Sequence, residues 1–205
     1  MKRCLITTKK LNTKLIDFNQ YDLFIGVEHG ASYLQTLNLK NVYYISDFDT
    51  LGQEELKKFE KLSNTKILPP MRNFVDTEEA IFFALDLGYD GSSIDLFVNE
   101  ALGRKDHLLN VVFLSKKHNL QIFGNKFEIH PILPKTKNIL SQKNFKYVSM
   151  FVFEQTEITT SGLKWDLNKR IFDMDSGTNL ISNEFIQEFA IFYADKKMLV
   201  VLAND

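Results

Sequence analysis

The stretch Val42-Tyr43-Tyr44-Ile45-Ser46-Asp47-Phe48-Asp49-Thr50 is an apolar run that ends in two carboxylates. A short apolar run of this kind is typical of a buried parallel strand. In open α/β sheets, ligands bind outside the carboxyl ends of the strands. Paired carboxylates at such an end are suited to Mg²⁺ that carries a nucleotide's phosphates. The alternative interpretation is a solvated acidic turn, and this motif alone favours that alternative slightly.

The composition is that of an ordinary globular protein. The chain has 205 residues, of which 44% are hydrophobic and 25% are charged, and its formal net charge is -1. A charge this close to zero gives no overall attraction to nucleic acid or lipid. Cys4 is the only cysteine, so no intrachain disulfide can form. No apolar run spans a bilayer and the opening is not a secretory signal, so we expect a cytoplasmic protein with no membrane or nucleic-acid partner.

Strand-like and helix-like segments alternate in the first part of the chain. We predict strands at 3–7, 23–27, 42–46, 66–68, 94–98 and 120–123, and helices at 31–37, 53–62, 77–87 and 107–117. The helix at 77–87 is the clearest, because either Asp76 or Thr77 is suited to cap it and Gly88 ends it. Alternation of this kind predicts a Rossmann-like, mostly parallel α/β domain, which we place at residues 1–124.

The character of the sequence changes near Gly124. We predict strands at 146–153, 157–160, 163–167, 185–193 and 198–202, separated by turn residues. The polar segment 131–144 is predicted to be a long loop. These patterns predict a second, all-β domain at residues 125–205, with a sandwich or jelly-roll-like fold.

Three further segments carry polar residues that could serve a site. Asp76 follows a proline-rich loop and could complete a metal site, although in isolation a helix cap is the better interpretation. The segment 103–110 contains Arg104, which can fork onto phosphate, and Asp106 and His107, which stand where a helix begins. A structural loop is the alternative there. The third segment holds Trp165, the only tryptophan, whose ring could stack on a cationic heterocycle or lie in the core.

Several common phosphate and metal motifs are absent from the sequence. There is no glycine-rich loop that ends in Gly-Lys-Ser/Thr, and no Gly-x-Gly-x-x-Gly follows the first predicted strand. The sequence also lacks a Cys/His cluster of the kind that binds zinc. Phosphate chemistry in this chain would therefore depend on carboxylate-held Mg²⁺ together with Arg and Lys.

In their order and spacing, these segments resemble the thiamine pyrophosphokinase family. The matching pieces are Asp47-Phe48-Asp49, Asp76, Gly103-Arg104-Lys105-Asp106-His107, Gly162-Leu163-Lys164-Trp165-Asp166-Leu167 and Ser182-Asn183. No single piece is specific, but the ordered set of five is, and it spans most of the chain. The sequence departs from the family pattern at Glu28-His29-Gly30, at Asn73 and at Leu102.

The resemblance implies an α/β domain that binds ATP and Mg²⁺, followed by a β-domain that binds thiamine and forms a homodimer with sites at the subunit interface. It implies transfer of the pyrophosphoryl group of ATP to the hydroxyl of thiamine, with release of AMP. Trp165 would then stack on thiamine that is bound mainly by the partner chain.

The resemblance also suggests roles for individual residues. Asp47, Asp49 and Asp76 would hold Mg²⁺, directly or through water. Arg104 would clamp phosphate, with Lys164 as a weaker candidate. Asp106 would orient or deprotonate the thiamine hydroxyl, or serve the metal. The remaining predicted substrate-binding residues are Glu28, Arg72 and His107 for the nucleotide or thiamine pocket, and Thr160, Ser161, Ser182 and Asn183 for thiamine.

Two other functions are compatible with the sequence. One is a diphosphokinase that acts on another heterocyclic alcohol, such as a pterin. The other is a catalytically weak protein that binds thiamine or a nucleotide. The acidic residues argue against the second, because a binding protein has little need of a metal site.

Overall fold

A computed structural model describes residues 2–11, 16–49, 51–98, 105–143 and 145–204 of the chain. The chain divides into two compact units, residues 1–103 and 104–205. The domain boundary expected after residue 124 stays a prediction. The predicted phosphate clamp Arg104, and Leu102 and Gly103 of the same motif, lie outside the described residues.

The first unit is an α/β unit with a five-stranded parallel sheet. Its strands are β1 (Cys4–Thr7), β2 (Leu23–Gly26), β3 (Val42–Ser46), β4 (Thr65–Ile67) and β5 (Ile94–Phe97), in the spatial order β5-β1-β2-β3-β4. Its helices are α1 (His29–Gln35), α2 (Gln53–Phe59) and α3 (Asp76–Asp86). The prediction of a mostly parallel sheet with alternating helices is therefore confirmed for this unit.

Large aromatic side chains fill much of the core of the first unit. Phe48 and Phe59 are almost completely buried, and their rings stack with centroids 4.7 Å apart. Tyr44, on β3, meets the edge of Phe59 at 5.1 Å. Because each ring removes a large apolar area from water, these contacts hold β3 and the chain that follows it against α2.

The second unit begins with α4 (Lys105–His118) and continues with strands. The strands are β6 (Gln121–Phe123), β7 (Phe127–Ile132), β8 (Asn138–Ser141), β9 (Tyr147–Val152), β10 (Thr156–Ser161), β11 (Arg170–Phe172), β12 (Asn183–Glu184), β13 (Phe189–Ala194) and β14 (Met198–Ala203). The described pairings of these strands are antiparallel, in the orders β12-β9-β14-β7-β6 and β11-β10-β13-β8.

One apolar cluster in the second unit draws on both strand groups. Met150 and Val200 come from the first group, and Ile158 and Phe192 come from the second; all four side chains are buried. The described part of residues 125–205 is built mainly of strands, which agrees with the expected β region, and its assignment as a sandwich or jelly roll stays a prediction. None of the helices in the described ranges combines the length and apolar character that a bilayer crossing requires.

Two predicted segments of the second unit are wrong. The predicted strand at 163–167 is a turn, in which only Leu163 makes an isolated bridge, to Phe185. The predicted loop at 131–144 contains the end of β7 and all of β8. β8 pairs with β13, and its residues alternate between partly buried and exposed. This short alternation does not stand out within a segment that is polar overall.

A polar cluster of buried Glu128 and His130 with exposed Lys143 joins β7 to the loop after β8. The Glu128 carboxylate lies 2.8 Å from His130 Nε2 and accepts two hydrogen bonds of 2.8 Å from Lys143 Nζ. Burial by itself would raise the pKa of Glu128, but the hydrogen bonds from His130 and Lys143 outweigh it and hold the pKa below its ordinary value. Ionised Glu128 therefore stabilises the folded unit.

We expect Glu128→Gln to lower the free energy of unfolding at neutral pH by about 2 kcal/mol, because hydrogen bonds to a charged group contribute more than neutral ones. The deficit in unfolding free energy should narrow as the pH falls below the ordinary glutamate pKa of about 4.3 and through the lower pKa of folded Glu128, where the wild-type carboxylate takes up a proton and loses the same stabilisation. Urea unfolding at several pH values measures both effects. Glu188→Gln, at an exposed position, is the matched control, and a deficit that does not change with pH would contradict the assignment.

Candidate active site

Three carboxylates converge at the carboxyl edge of the parallel sheet in the first unit. Glu28 follows β2, Asp47 follows β3, and Asp76 opens α3. One oxygen of each lies within 4.8 Å of the others. Because neighbouring parallel strands end at the same edge, residues far apart in the sequence are brought together here.

Ser46, the last residue of β3, lies between two of these carboxylates. Its Oγ is 2.7 Å from Glu28 Oε1 and 2.5 Å from Asp76 Oδ2, and it accepts a hydrogen bond from the backbone N–H of Phe48. A hydroxyl has one proton and can donate to only one of the two carboxylate oxygens. The Ser46 hydroxyl therefore donates to one carboxylate and lies within hydrogen-bond distance of the other.

Arg72 supplies positive charge to the same cluster. Its Nη1 donates to Asp47 Oδ2 at 2.8 Å and to the carbonyl of Pro69 at 2.8 Å, and its Nη2 pairs with Asp76 Oδ1. Burial by itself would raise the pKa of Asp47, but the hydrogen bond and charge of Arg72 outweigh it and hold the pKa below its ordinary value. Asp47 is therefore ionised at neutral pH.

The backbone separates Asp47 from Asp49. Phe48 has a φ of 57°, in the left-handed region, and its buried ring points into the core. Asp49 is exposed, and its N–H donates to Asp47 Oδ1 at 3.2 Å. Among the described carboxylates, the group within 4.8 Å consists of Glu28, Asp47 and Asp76, and does not include Asp49. The role of Asp49 as a metal ligand stays a prediction.

Close packing at the start of α1 positions Glu28. A Cβ added at Gly30 would lie 1.9 Å from the carbonyl oxygen of Thr7, at the end of β1. Only glycine permits this approach of two backbones. Glu28 itself has a φ of 52°, and this unusual conformation turns its side chain towards Ser46.

The suggestion that Asp76 caps its helix is wrong. The N-cap position is Val75, which makes no side-chain cap, and Asp76 lies in the first turn. Its carboxylate instead accepts hydrogen bonds from Ser46 Oγ and from the backbone N–H of Asp47, the latter at 3.0 Å. The side chain therefore serves the carboxylate cluster rather than its own helix.

Sequence reasoning missed two members of this cluster. Glu28 was assigned to a substrate pocket rather than to cation binding, and Ser46 was given no role. The signal for Glu28 was available, because it follows the apolar run of β2 as Asp47 follows that of β3. For Ser46 the sequence carries no signal, since its role depends on carboxylates that are distant along the chain.

The donor set fits a divalent cation. Carboxylate oxygens are the ligands that Mg²⁺ prefers in proteins. Three like charges within 4.8 Å repel one another, and a bound cation would relieve that repulsion. Glu28, Asp47 and Asp76 are therefore the residues of the described chain best placed to hold such an ion.

The predicted residues of the second unit fall into two groups. Ser161, Lys164, Trp165 and Ser182 are exposed, and the ring of Trp165 is 57% exposed. Lys164 Nζ lies 4.8 Å from the centroid of that ring. The alternative that Trp165 is a core residue is thereby excluded.

Thr160 and Asn183, in contrast, are buried and hydrogen-bonded within the unit. The Thr160 hydroxyl donates to Asp166 Oδ1 at 3.1 Å and accepts from the N–H of Leu167 at 2.8 Å. The Asn183 side chain bonds to the backbone of Trp165. Both side chains therefore support the loop that carries Trp165.

The remaining predicted residues lie at the start of α4. Asp106 and His107 occupy its first turn at exposed positions. Their assignment to phosphate or to the thiamine hydroxyl stays a prediction.

We expect Arg72→Met to raise the pKa of Asp47, because burial remains while the main interaction that opposes it is removed. A ¹³C NMR titration of the carboxyl groups measures the change in the free protein. Lys66→Met, which removes an exposed ion pair with Glu79, is the matched control and should leave Asp47 unaffected. An unchanged or lowered pKa of Asp47 in Arg72→Met would contradict the assignment.

Comparisons with known proteins point to the family that the sequence motifs resemble. Residues 136–199 match the family model described as thiamin pyrophosphokinase, vitamin B1 binding domain. The chain is 28% identical over 194 residues to the thiamine pyrophosphokinase of Bacillus subtilis (strain 168), and the alignment covers 91% of this chain and 89% of that protein.

Solved structures show the same fold. The structure of a thiamin pyrophosphokinase family protein from Enterococcus faecalis superimposes with a TM-score of 0.82 at 23% identity, and all of both chains is covered. That of thiamin pyrophosphokinase from Geobacillus thermodenitrificans gives a TM-score of 0.80 at 23% identity, covering 100% of this chain and 98% of that one. Family model, curated relative and fold thus all agree with the resemblance to the thiamine pyrophosphokinase family that the sequence motifs indicate.

Proposed function

We propose that this protein is a thiamine pyrophosphokinase, which transfers the pyrophosphoryl group of ATP to the hydroxyl of thiamine and yields thiamine diphosphate and AMP. The observation that carries the proposal is the match of residues 136–199 to a vitamin B1 binding domain. The carboxylate cluster of the first unit supports it, because pyrophosphoryl transfer needs positive charge close to the phosphates, and these carboxylates could hold a cation that supplies it.

Asp47, Asp49 and Asp76 are the proposed ligands of Mg²⁺, and Glu28 joins them because its carboxylate lies in the same group. When bound, the cation would neutralise negative charge on the phosphates of ATP. The protein's own contribution is to hold the carboxylates in position and to keep Asp47 ionised. Ser46 and the N–H of Asp47 fix Asp76, and Arg72 keeps Asp47 ionised.

Basic side chains are proposed to bind the phosphates of ATP. Arg104 is the proposed clamp, and Lys164 is a weaker candidate. His107, at the start of α4, is proposed to contact the nucleotide, and Asp106 to orient or deprotonate the thiamine hydroxyl or to serve the metal. These four assignments rest on the resemblance of the motifs to the family pattern.

Thiamine is proposed to stack on Trp165. A cationic ring over an aromatic face is favoured by about 0.5–2 kcal/mol, depending on how far it is desolvated. Trp165 is 57% exposed and offers such a face, and the Lys164 ammonium lies 4.8 Å from the centroid of its ring. Ser161 and Ser182 are exposed and are proposed to contact thiamine, whereas Thr160 supports the loop through Asp166 and Leu167.

A homodimer with sites at the subunit interface is proposed on the strength of the family resemblance. In it, the predicted β-domain of residues 125–205, with a sandwich or jelly-roll-like fold, would carry the dimer contacts and present Trp165 to thiamine bound mainly by the partner. The cytoplasmic location also stays a prediction, and ATP as a substrate is consistent with it.

The relatives reported above are thiamine pyrophosphokinases, so the comparisons favour neither a pterin-like acceptor nor a protein that only binds thiamine.

We expect ATP and Mg²⁺ to yield AMP only when thiamine is added, with thiamine diphosphate as the second product. Chromatography of the nucleotides and of the thiamine species measures both. The absence of AMP in the presence of thiamine would contradict the proposal, and a hydroxymethyl pterin assayed in parallel would reveal the other acceptor class.

In the same assay, Asp49→Asn should lower turnover by at least about 100-fold, as expected for loss of a group that positions charge at the reacting phosphates. The exposed position of Asp49 means that folding should be unaffected. Asp86→Asn, at another exposed aspartate of the first unit, is the control. An active Asp49→Asn enzyme would remove Asp49 from the metal site.

A mixing experiment tests whether one active site draws residues from two chains. Asp49→Asn and Trp165→Ala should each be nearly inactive at low thiamine, whereas their co-expressed mixture should recover roughly a quarter of wild-type activity if each mixed two-fold dimer keeps one intact site. The mass of the assembly in solution and the activity of the mixture are the two measurements. A mixture with no more activity than its components would show that each site is built from one chain.

A further inference from the structure

The loop that carries Trp165 is held from two sides, by the Asp166 side chain and by a backbone hydrogen bond to Glu184. On one side, Asp166 accepts hydrogen bonds of 3.1 Å from the N–H groups of Gly162 and Leu163. On the other side, the Lys164 N–H donates to the carbonyl of Glu184 at 2.9 Å. The loop therefore turns tightly instead of continuing β10 as a strand.

Asn183 completes this arrangement at Trp165 itself. Its Oδ1 accepts from the Trp165 N–H at 3.2 Å, and its Nδ2 donates to the Trp165 carbonyl at 2.9 Å. One side-chain amide thus takes both backbone polar groups of a single residue, as a neighbouring strand would. Oδ1 also accepts from the Glu184 N–H at 2.9 Å, so both of its lone pairs are used.

Asn183 is itself held in place by burial and by the pairing of β12, so it can fix the Trp165 backbone. The side chain is only 6% exposed, and its backbone belongs to β12, which pairs with β9 through Asn183 and Val148. The Trp165 ring, in contrast, is 57% exposed. The exposed ring is therefore held through its backbone, from a buried strand, rather than by packing of the ring into the core.

We infer that Asn183 is a positioning residue that holds Trp165 in place to receive a planar cationic ring, and that it does not itself contact thiamine. The inference rests on the proposed function for the identity of that ring. It deepens the proposal because it changes the predicted role of Asn183 from substrate contact to support. A ring held in advance loses less conformational freedom when its ligand binds, which favours binding.

The single tryptophan allows a direct test, because its fluorescence reports on this loop alone. Asn183→Asp keeps the size of the side chain and the acceptor for the Trp165 N–H, but loses the donor and sets a carboxylate oxygen against the Trp165 carbonyl. Asn183→Leu removes both bonds at similar volume. Asn168→Asp, at an exposed position after the same turn, adds the same charge and is the matched control.

In the free protein, both Asn183 variants should lower the fluorescence anisotropy of Trp165, since the ring becomes more mobile, and Asn168→Asp should not. Both should also raise the thiamine KM by about tenfold, the equivalent of roughly 1.4 kcal/mol, while the ATP KM and kcat stay near wild type. Thermal unfolding identifies any variant that fails to fold. If Asn183→Leu fails to fold, the isosteric variant Asn183→Asp decides whether the inference holds.

Unchanged anisotropy in folded Asn183 variants would overturn the inference, and a raised thiamine KM with unchanged anisotropy would point instead to direct contact between Asn183 and thiamine. Lower anisotropy with an unchanged thiamine KM would also overturn it. If the wild-type protein forms no AMP with thiamine, the proposed function fails, whereas the anisotropy still decides whether Asn183 holds the ring.

Discussion

Mutual repulsion among Glu28, Asp47 and Asp76 is the constraint around which the first unit is built. Their oxygens lie within 4.8 Å of one another at the end of a parallel sheet, an arrangement that is unfavourable unless each charge has partners. Arg72, Ser46 and the N–H of Asp47 provide those partners. The same concentration of negative charge that is costly for folding makes the edge receptive to a cation, which is a common property of functional sites.

Burial of the Phe48 ring stabilises the backbone conformation at this edge of the sheet. Phe48 adopts a left-handed φ of 57°, which is unfavourable by about 1–3 kcal/mol for a residue other than glycine. Its side chain is 1% exposed and stacks on Phe59, and burial of a phenylalanine contributes about 1.5–3 kcal/mol. The two effects are of similar size, so the core offsets the backbone conformation. The result is that Asp47 faces the cluster while Asp49 faces solvent.

In the second unit, the group that has to be held in place is the exposed ring of Trp165. An exposed ring on a loop is mobile unless its backbone is held, and here buried polar groups hold it. Asn183 binds the Trp165 peptide, and Asp166 binds the turn before it. Gly162, with a φ of 97°, is required because a Cβ there would lie 2.6 Å from the Phe189 carbonyl. In both units, hydrogen bonds from side chain to backbone place the groups proposed to act on the substrate.

The sequence by itself determined the features that depend on local pattern. The bounds of β3 were predicted as observed, and α3 was displaced by a single residue, because an apolar run and an acidic helix start are visible in neighbouring residues. The ordered motifs were also sufficient to identify the family resemblance. These features need no knowledge of how distant segments meet.

Only the tertiary structure decided which residues act together. Glu28 lies close to Asp47 and Asp76 because parallel strands end at one edge of the sheet. Asp76 does not cap its helix, and its carboxylate lies 2.5 Å from the Ser46 hydroxyl instead. The segment 163–167 has the composition of a strand but becomes a turn, since Asp166 binds the N–H groups that a neighbouring strand would otherwise use. Contacts between residues that are distant in the sequence, or between side chain and backbone, leave no periodic trace in hydropathy, and for that reason they are seen only in the folded chain.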